Sequence, residues 1–145
     1  MSSILFIEQK RVPWFRERTR MRKLLETLFK REKTKLDNIQ FIFLTDDELL
    51  EINRQFLAHD FYTDIITFDL SDSITSAKAA EIYISVERVE ENAKDWNTSR
   101  INELRRVMVH GCLHLCGYKD KLKADKVIMR KKEDFYLQTY NKSST

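Results

Sequence analysis

The sequence predicts an α+β (α/β-like) domain in which a small, mixed four-stranded sheet carries helices on its faces. Three observations point there. Short apolar stretches with strand-like alternation interleave with segments whose apolar residues recur every three or four positions. A chain of 145 residues is about the modal size for one domain, so residues 1–145 are expected to share one core. Two glycines and one proline leave little room for irregular segments.

Ile4 to Glu8 reads as a short strand, and Pro13 suits the first turn of a helix, where its missing N–H would have been unpaired anyway. That helix is expected to run to about Arg31, with Met21, Leu24, Leu25, Leu28 and Phe29 as its apolar stripe and Arg18, Arg20, Arg22 and Lys23 around the rest. Asn38 to Leu44 is apolar at both parities, the mark of a central strand buried on two sides. Thr45 with Glu48 forms a capping-box signature that opens a second helix through Phe56.

After a loop over 57–62, Asp64 to Leu70 alternates as a third strand, with Ile66, Phe68 and Leu70 on one face and Asp64 as a cap at its start. The small, polar stretch from Ser71 to Ala80 is the expected hairpin tip, and Ile82, Ile84 and Val86 mark an antiparallel fourth strand. Glu87 to Trp96 is expected as a short helix. Thr98 or Ser99 then caps a longer one that turns Leu104, Met108, Cys112 and Leu115 inward. A last, highly charged helix from Lys123 to Tyr140 is expected to pack through Val127, Ile128, Phe135 and Leu137, leaving residues 141–145 frayed.

The long helix near the C-terminus carries the chemistry. His110 and His114, two of only three histidines, lie one turn apart, so their imidazoles leave one face about 40° and roughly 6 Å apart, which is metal-ligand spacing. Gly117 suits the position just past a helix end, and the turn it permits returns Asp120 towards the pair. Two nitrogens and one carboxylate oxygen are the usual number of ligands for a catalytic zinc with an open position. Zinc peptidases with a similar helix carry a glutamate general base directly after the first histidine. Here that residue is Gly111.

The run from His110 to Asp120 resembles the motif HGxLHLxGYDH of the YbeY family of bacterial metal-dependent endoribonucleases, matching it at His110, Gly111, Leu113, His114, Leu115, Gly117 and Tyr118. Asn53, Phe56 and the stretch from Thr63 to Phe68 resemble the family's upstream asparagine, aromatic and TDVLSF-type segment, and Glu103-Leu104 also fits. The resemblance implies a single catalytic domain cleaving single-stranded RNA in ribosomal RNA maturation, with ribosomal RNA and possible ribosomal proteins as partners. It implies one Zn2+ or another divalent ion on His110, His114 and Asp120, whose water is the only catalytic group the sequence offers.

Two departures stand out: Asp120 replaces the family's third histidine, with Lys119 at its preceding aspartate, and Leu57 replaces a cleft arginine. A carboxylate ligand adds negative charge and makes a bound water less acidic than three imidazoles would. Leucine pairs with no phosphate, so Arg54, His59, Lys119 and Lys121, with Arg88 further off, are the candidates for substrate binding.

Residues 1–35 hold eleven Lys and Arg against four Glu, net +7, while the remainder nets to −4. Such a run is ordinarily a solvated helix face, and it also offers a polyanion its best N-terminal contacts. Cys112 and Cys116 lie about 200° round the axis from the histidines and are expected in the core. No apolar run reaches the ~18 residues of a membrane span, which makes the cytoplasm the expected location. Two other readings remain open: a zinc hydrolase of another substrate such as a peptide, and a ribosome- or RNA-associated binding protein with a non-catalytic metal.

Overall fold

The computed structural model describes residues 3–73 and 76–142. In chain order the elements are β1 (Ser3–Glu8), α1 (Arg18–Arg31), β2 (Leu36–Leu44), α2 (Asp46–Leu57), β3 (Ile65–Asp69), β4 (Lys78–Ser85), α3 (Val86–Asp95), α4 (Arg100–Leu115) and α5 (Lys123–Lys142). The sheet order is β1-β2-β4-β3, parallel from β1 through β4, with β3 antiparallel at the edge. This is the mixed four-stranded α+β architecture read from the sequence.

The apolar run of β2 is explained by its place: Phe41, Ile42, Phe43 and Leu44 are all buried because helices cover both faces. On one face Ile39, Phe41, Phe43, Ile82 and Ile84 meet Leu25, Leu28, Leu104, Met108 and Cys112 in the main core. On the other, Ile42, Leu44 and Ile66 pack under Leu49 of α2. Thr45 caps α2 in a complete capping box, and Ser85 and Ser99 cap α3 and α4.

Several boundaries differ from the sequence reading. Helix α1 begins at Arg18 because Val12 and Phe15 are buried core plugs held in a turn closed by the Phe15 N–H on the Val12 carbonyl. Pro13 is the second residue of that turn, where its fixed φ also fits. Strand β4 begins at Lys78, four residues early, and Val86 opens α3 rather than ending the strand. Leu70 is exposed past the end of β3. Part of the expected hairpin tip, residues 74 and 75, and part of the expected frayed end, residues 143–145, lie outside the described residues, while Asn141 and Lys142 are helical.

Helix α5 packs on a different face from the one hydrophobicity selects. Val127, Ile128 and Phe135 are 51%, 49% and 42% exposed, and of the four expected packing residues only Leu137 is buried. The inward face is Met129, Glu133, Tyr136, Leu137 and Tyr140. Its polar atoms are partnered: Tyr136 donates to Glu32, Tyr140 donates to Glu17, and Glu133 accepts from Arg106. A buried polar group with a partner costs little, so hydropathy alone assigns this face wrongly.

Candidate metal centre and its cleft

Helix α4 ends where the sequence said it should. The Tyr118 N–H bonds back to the Leu113 carbonyl and the Gly117 N–H to that of His114, with Gly117 at φ 101°, a conformation that favours glycine. The Tyr118 hydroxyl then donates to Glu32 at 2.6 Å and anchors the turn to the end of α1. Asp120 is thereby carried back over the histidines.

Three atoms converge. His110 Nε2 and His114 Nε2 are 3.0 Å apart, and each lies 3.1 Å from Asp120 Oδ2. His110 Nδ1 faces Glu133 Oε2 at 2.7 Å, and His114 Nδ1 faces the Tyr118 carbonyl at 2.9 Å. Those partners are acceptors, so in the neutral imidazoles each Nδ1 carries the proton and each Nε2 presents a lone pair. Two lone pairs and a carboxylate oxygen then face one another with no donor among them, an arrangement that repels itself unless a cation or a proton sits between. A tetrahedral zinc with bonds of ~2.0–2.1 Å sets its ligand atoms roughly 3.3 Å apart. The triangle needs little expansion to match.

Behind His110 lies a charged chamber of about 340 Å³ between α4 and α5, lined by Asp64, Glu103, Arg106, His110, Asp120 and Glu133 among others. Arg106 donates to Glu133 at 2.9 Å and to Asp134 at 2.7 Å. Burial pulls the His110 pKa down, but Glu133, Asp120 and Asp64 outweigh it and hold it above the usual value. Burial likewise raises Asp120, and the two histidines overcome it to leave that carboxyl below its usual range. Burial raises Asp64, helped by Glu133 and opposed by His110. Burial and the nearby Asp64 carboxylate push Glu103 up to about 7.

In front of the cluster a groove of about 680 Å³ runs from His110, His114 and Asp120 to Leu57, His59 and Phe61 in the α2–β3 connection. Lys121 lines it. The other candidate cations are committed elsewhere: Arg54 donates to Asp60 at 2.5 Å, and Arg88 pairs with Asp46 at 2.7 Å. Lys119 is exposed and is not among the residues lining the groove. The arginines of α1 also have partners, Arg18 on Glu8, Arg20 on Glu17 and the Tyr140 carbonyl, and Arg22 on the Ile4 carbonyl.

Position 111 faces the sheet. A Cβ on Gly111 would sit 2.9 Å from Ile65 Cδ1 and 3.3 Å from Ile82 Cδ1, so a side chain there would press into the sheet. Cys112 is buried and Cys116 half-buried, both free thiols on the core side. Glu133 and Arg106 were not found from sequence. The signal for Arg106 was present, since Glu103, Arg106, His110 and His114 form a polar stripe at helical spacing.

The fold and this cluster define an α+β protein with His110, His114 and Asp120 gathered at the end of a buried helix, a group that could hold a metal ion. The sequence matches the Endoribonuclease YbeY family over residues 5–141, and the chain belongs to that family. It is similar to the endoribonuclease YbeY of Cytophaga hutchinsonii, 43% identical over 93% of this chain and 94% of that one. The endoribonuclease YbeY of Flavobacterium psychrophilum is 52% identical over 71% of this chain and 72% of its own length. Among solved structures, a Thermotoga maritima protein determined in solution superimposes with a TM-score of 0.63 at 30% identity, covering 95% of this chain and 88% of that one.

Proposed function

We propose that residues 1–145 act as one catalytic domain, a zinc-dependent endoribonuclease that cleaves single-stranded RNA in the cytoplasm during ribosomal RNA maturation. The observation that carries the reading is the triangle of two imidazole lone pairs and one carboxylate oxygen, with both Nδ1 protons fixed from behind. Family membership supports the substrate class. In this reading His110, His114 and Asp120 are the ligands of one divalent ion. Such an ion supplies Lewis-acid polarisation of a phosphoryl oxygen and lowers the pKa of water.

The chain's own groups do the rest. Glu133 and the Tyr118 carbonyl hold the imidazoles in the ligating tautomer, and Arg106 holds Glu133. Asp64 borders both cavities, where burial raises its pKa above the usual carboxyl value. No helix among the described residues is long and apolar enough to cross a membrane. The zinc-peptidase pattern has its glutamate base at the position where this chain has Gly111 facing the sheet, and on α1 Arg18 and Arg20 are ion-paired with Glu8 and Glu17.

The test is metal content by elemental analysis together with cleavage of a labelled single-stranded RNA. Wild type should carry about one zinc per chain and lose cleavage on chelation, and Asp120→Ala should lose most of its metal. A wild type that binds no zinc when it is supplied would defeat the reading.

A further inference from the structure

We propose that His59 and Phe61 form a stacking subsite that seats an unpaired nucleobase of the RNA beside the metal cluster. The proposal rests on the endoribonuclease reading and adds to it where the base goes. The two rings are stacked on each other, with centroids 5.1 Å apart and planes at 23°, and Phe61 still exposes 55% of its surface. Both line the same groove as His110, His114 and Asp120. Other exposed aromatics nearby have structural employment: Tyr62 donates to Asp47 under the Arg88 guanidinium, and Phe56 packs edge-on against Phe68.

The pair is held in place from below. Asn53, 1% exposed, donates from Nδ2 to the Phe61 carbonyl at 2.9 Å, and its own carbonyl accepts the His59 N–H at 3.1 Å. One buried residue thus fixes the backbone of both rings before any ligand arrives, which reduces the ordering cost of binding. The α2 wall of the groove offers the alkyl side chain of Leu57, which pairs with no phosphate, so on that wall ring faces supply the contact. A base in a duplex has its faces occupied by neighbours, and an unpaired one does not, so this subsite selects single strands.

Steady-state cleavage by the metal-loaded chain tests the idea, with wild type, Phe61→Ala and Phe61→Tyr assayed on RNAs carrying one abasic nucleotide at successive positions. Phe61→Ala should raise KM about tenfold with metal content unchanged, and Phe61→Tyr should stay within twofold of wild type. One abasic position near the cut should cost wild type about tenfold in kcat/KM and cost Phe61→Ala nothing further. Independently of cleavage, tryptophan placed by Phe61→Trp should be quenched by single-stranded RNA and not by duplex, against wild-type Trp14 and Trp96 as background. Unchanged KM in Phe61→Ala, additive abasic losses, or a Phe61→Trp signal blind to RNA would each overturn the subsite while leaving the nuclease intact. A wild type that cleaves no RNA would overturn both.

Discussion

The two walls of the cleft are built on opposite plans. The wall behind His110, between α4 and α5, is made of charged groups withdrawn from water: Glu103 and Glu133 are buried, and Arg106 clamps Glu133 to Asp134. The wall in front, between α2 and β3, presents apolar and aromatic groups to water, with Leu57 and Phe61 exposed and Asn53 buried beneath them. Charges hidden behind a site act on it strongly, because little solvent screens them. Exposed rings in front contribute only when something covers them. The rear wall therefore sets the properties of His110 and its neighbours, and the front wall sets what reaches them.

The largest expected effect tests the rear wall directly. A carboxyl whose pKa is higher in the folded chain contributes stability that is full below its unfolded value and is lost as pH rises through the folded one. For Glu103 that window runs from the ordinary carboxyl value of 4.5 to about 7. Glu103→Gln, neutral throughout, should match wild type at pH 4 and exceed it by roughly 3 kcal/mol at pH 8, measured by denaturant unfolding in chelator. Glu8, Glu32 and Asp120 are shifted downward and tilt both proteins equally, so the difference between variants is the quantity to read. Equal stabilities at pH 8 would show that the rear wall hydrates its charges after all.

Next comes Glu133→Gln. It preserves an acceptor for His110 Nδ1 but removes the charge that strengthens the imidazole as a ligand. Zinc affinity, read by competition with a chromophoric chelator, should fall 10–100-fold, about 1.4–2.7 kcal/mol. An unchanged affinity would reduce Glu133 to a packing residue.

The same division explains what the sequence revealed. The His110, His114 and Asp120 set was legible because helix periodicity and one glycine stop bring the three together over eleven residues. The strands and capped helices were legible because alternation and capping chemistry are local. Glu133 was not, because it acts from 23 residues away on a helix whose inward face is carried by partnered tyrosines and a glutamate rather than by aliphatic residues. Nor was the commitment of Arg54, Arg88 and the α1 arginines, since whether a cation is free depends on acids far off in the chain: Arg88 meets Asp46 across 42 positions.

On the front wall the expected effects shrink. Asn53→Ala leaves the Phe61 carbonyl without its side-chain donor and should cost about 1 kcal/mol of global stability. Amide exchange at His59 should quicken more than that figure implies, because its bond to the residue 53 carbonyl loses the framework around it. Exchange at His59 no faster than global unfolding predicts would mean that the connection is held by something other than Asn53.

The smallest effect separates two cations that look alike in sequence. Arg54 is an obvious phosphate ligand by position, three residues before Leu57 on α2, yet its guanidinium is bound to Asp60 and lies 3.8 Å from Glu51. Lys121 lines the groove and shares no such pair among the described residues. Arg54→Ala should therefore leave KM for single-stranded RNA within twofold and the salt dependence of binding unchanged. Lys121→Ala should weaken binding modestly across all sequences and lower the salt slope by about one, as expected when one phosphate contact is lost. If Arg54→Ala instead lowers the slope, then Asp60 releases its arginine when RNA arrives, and the front wall recognises charge as the rear wall does.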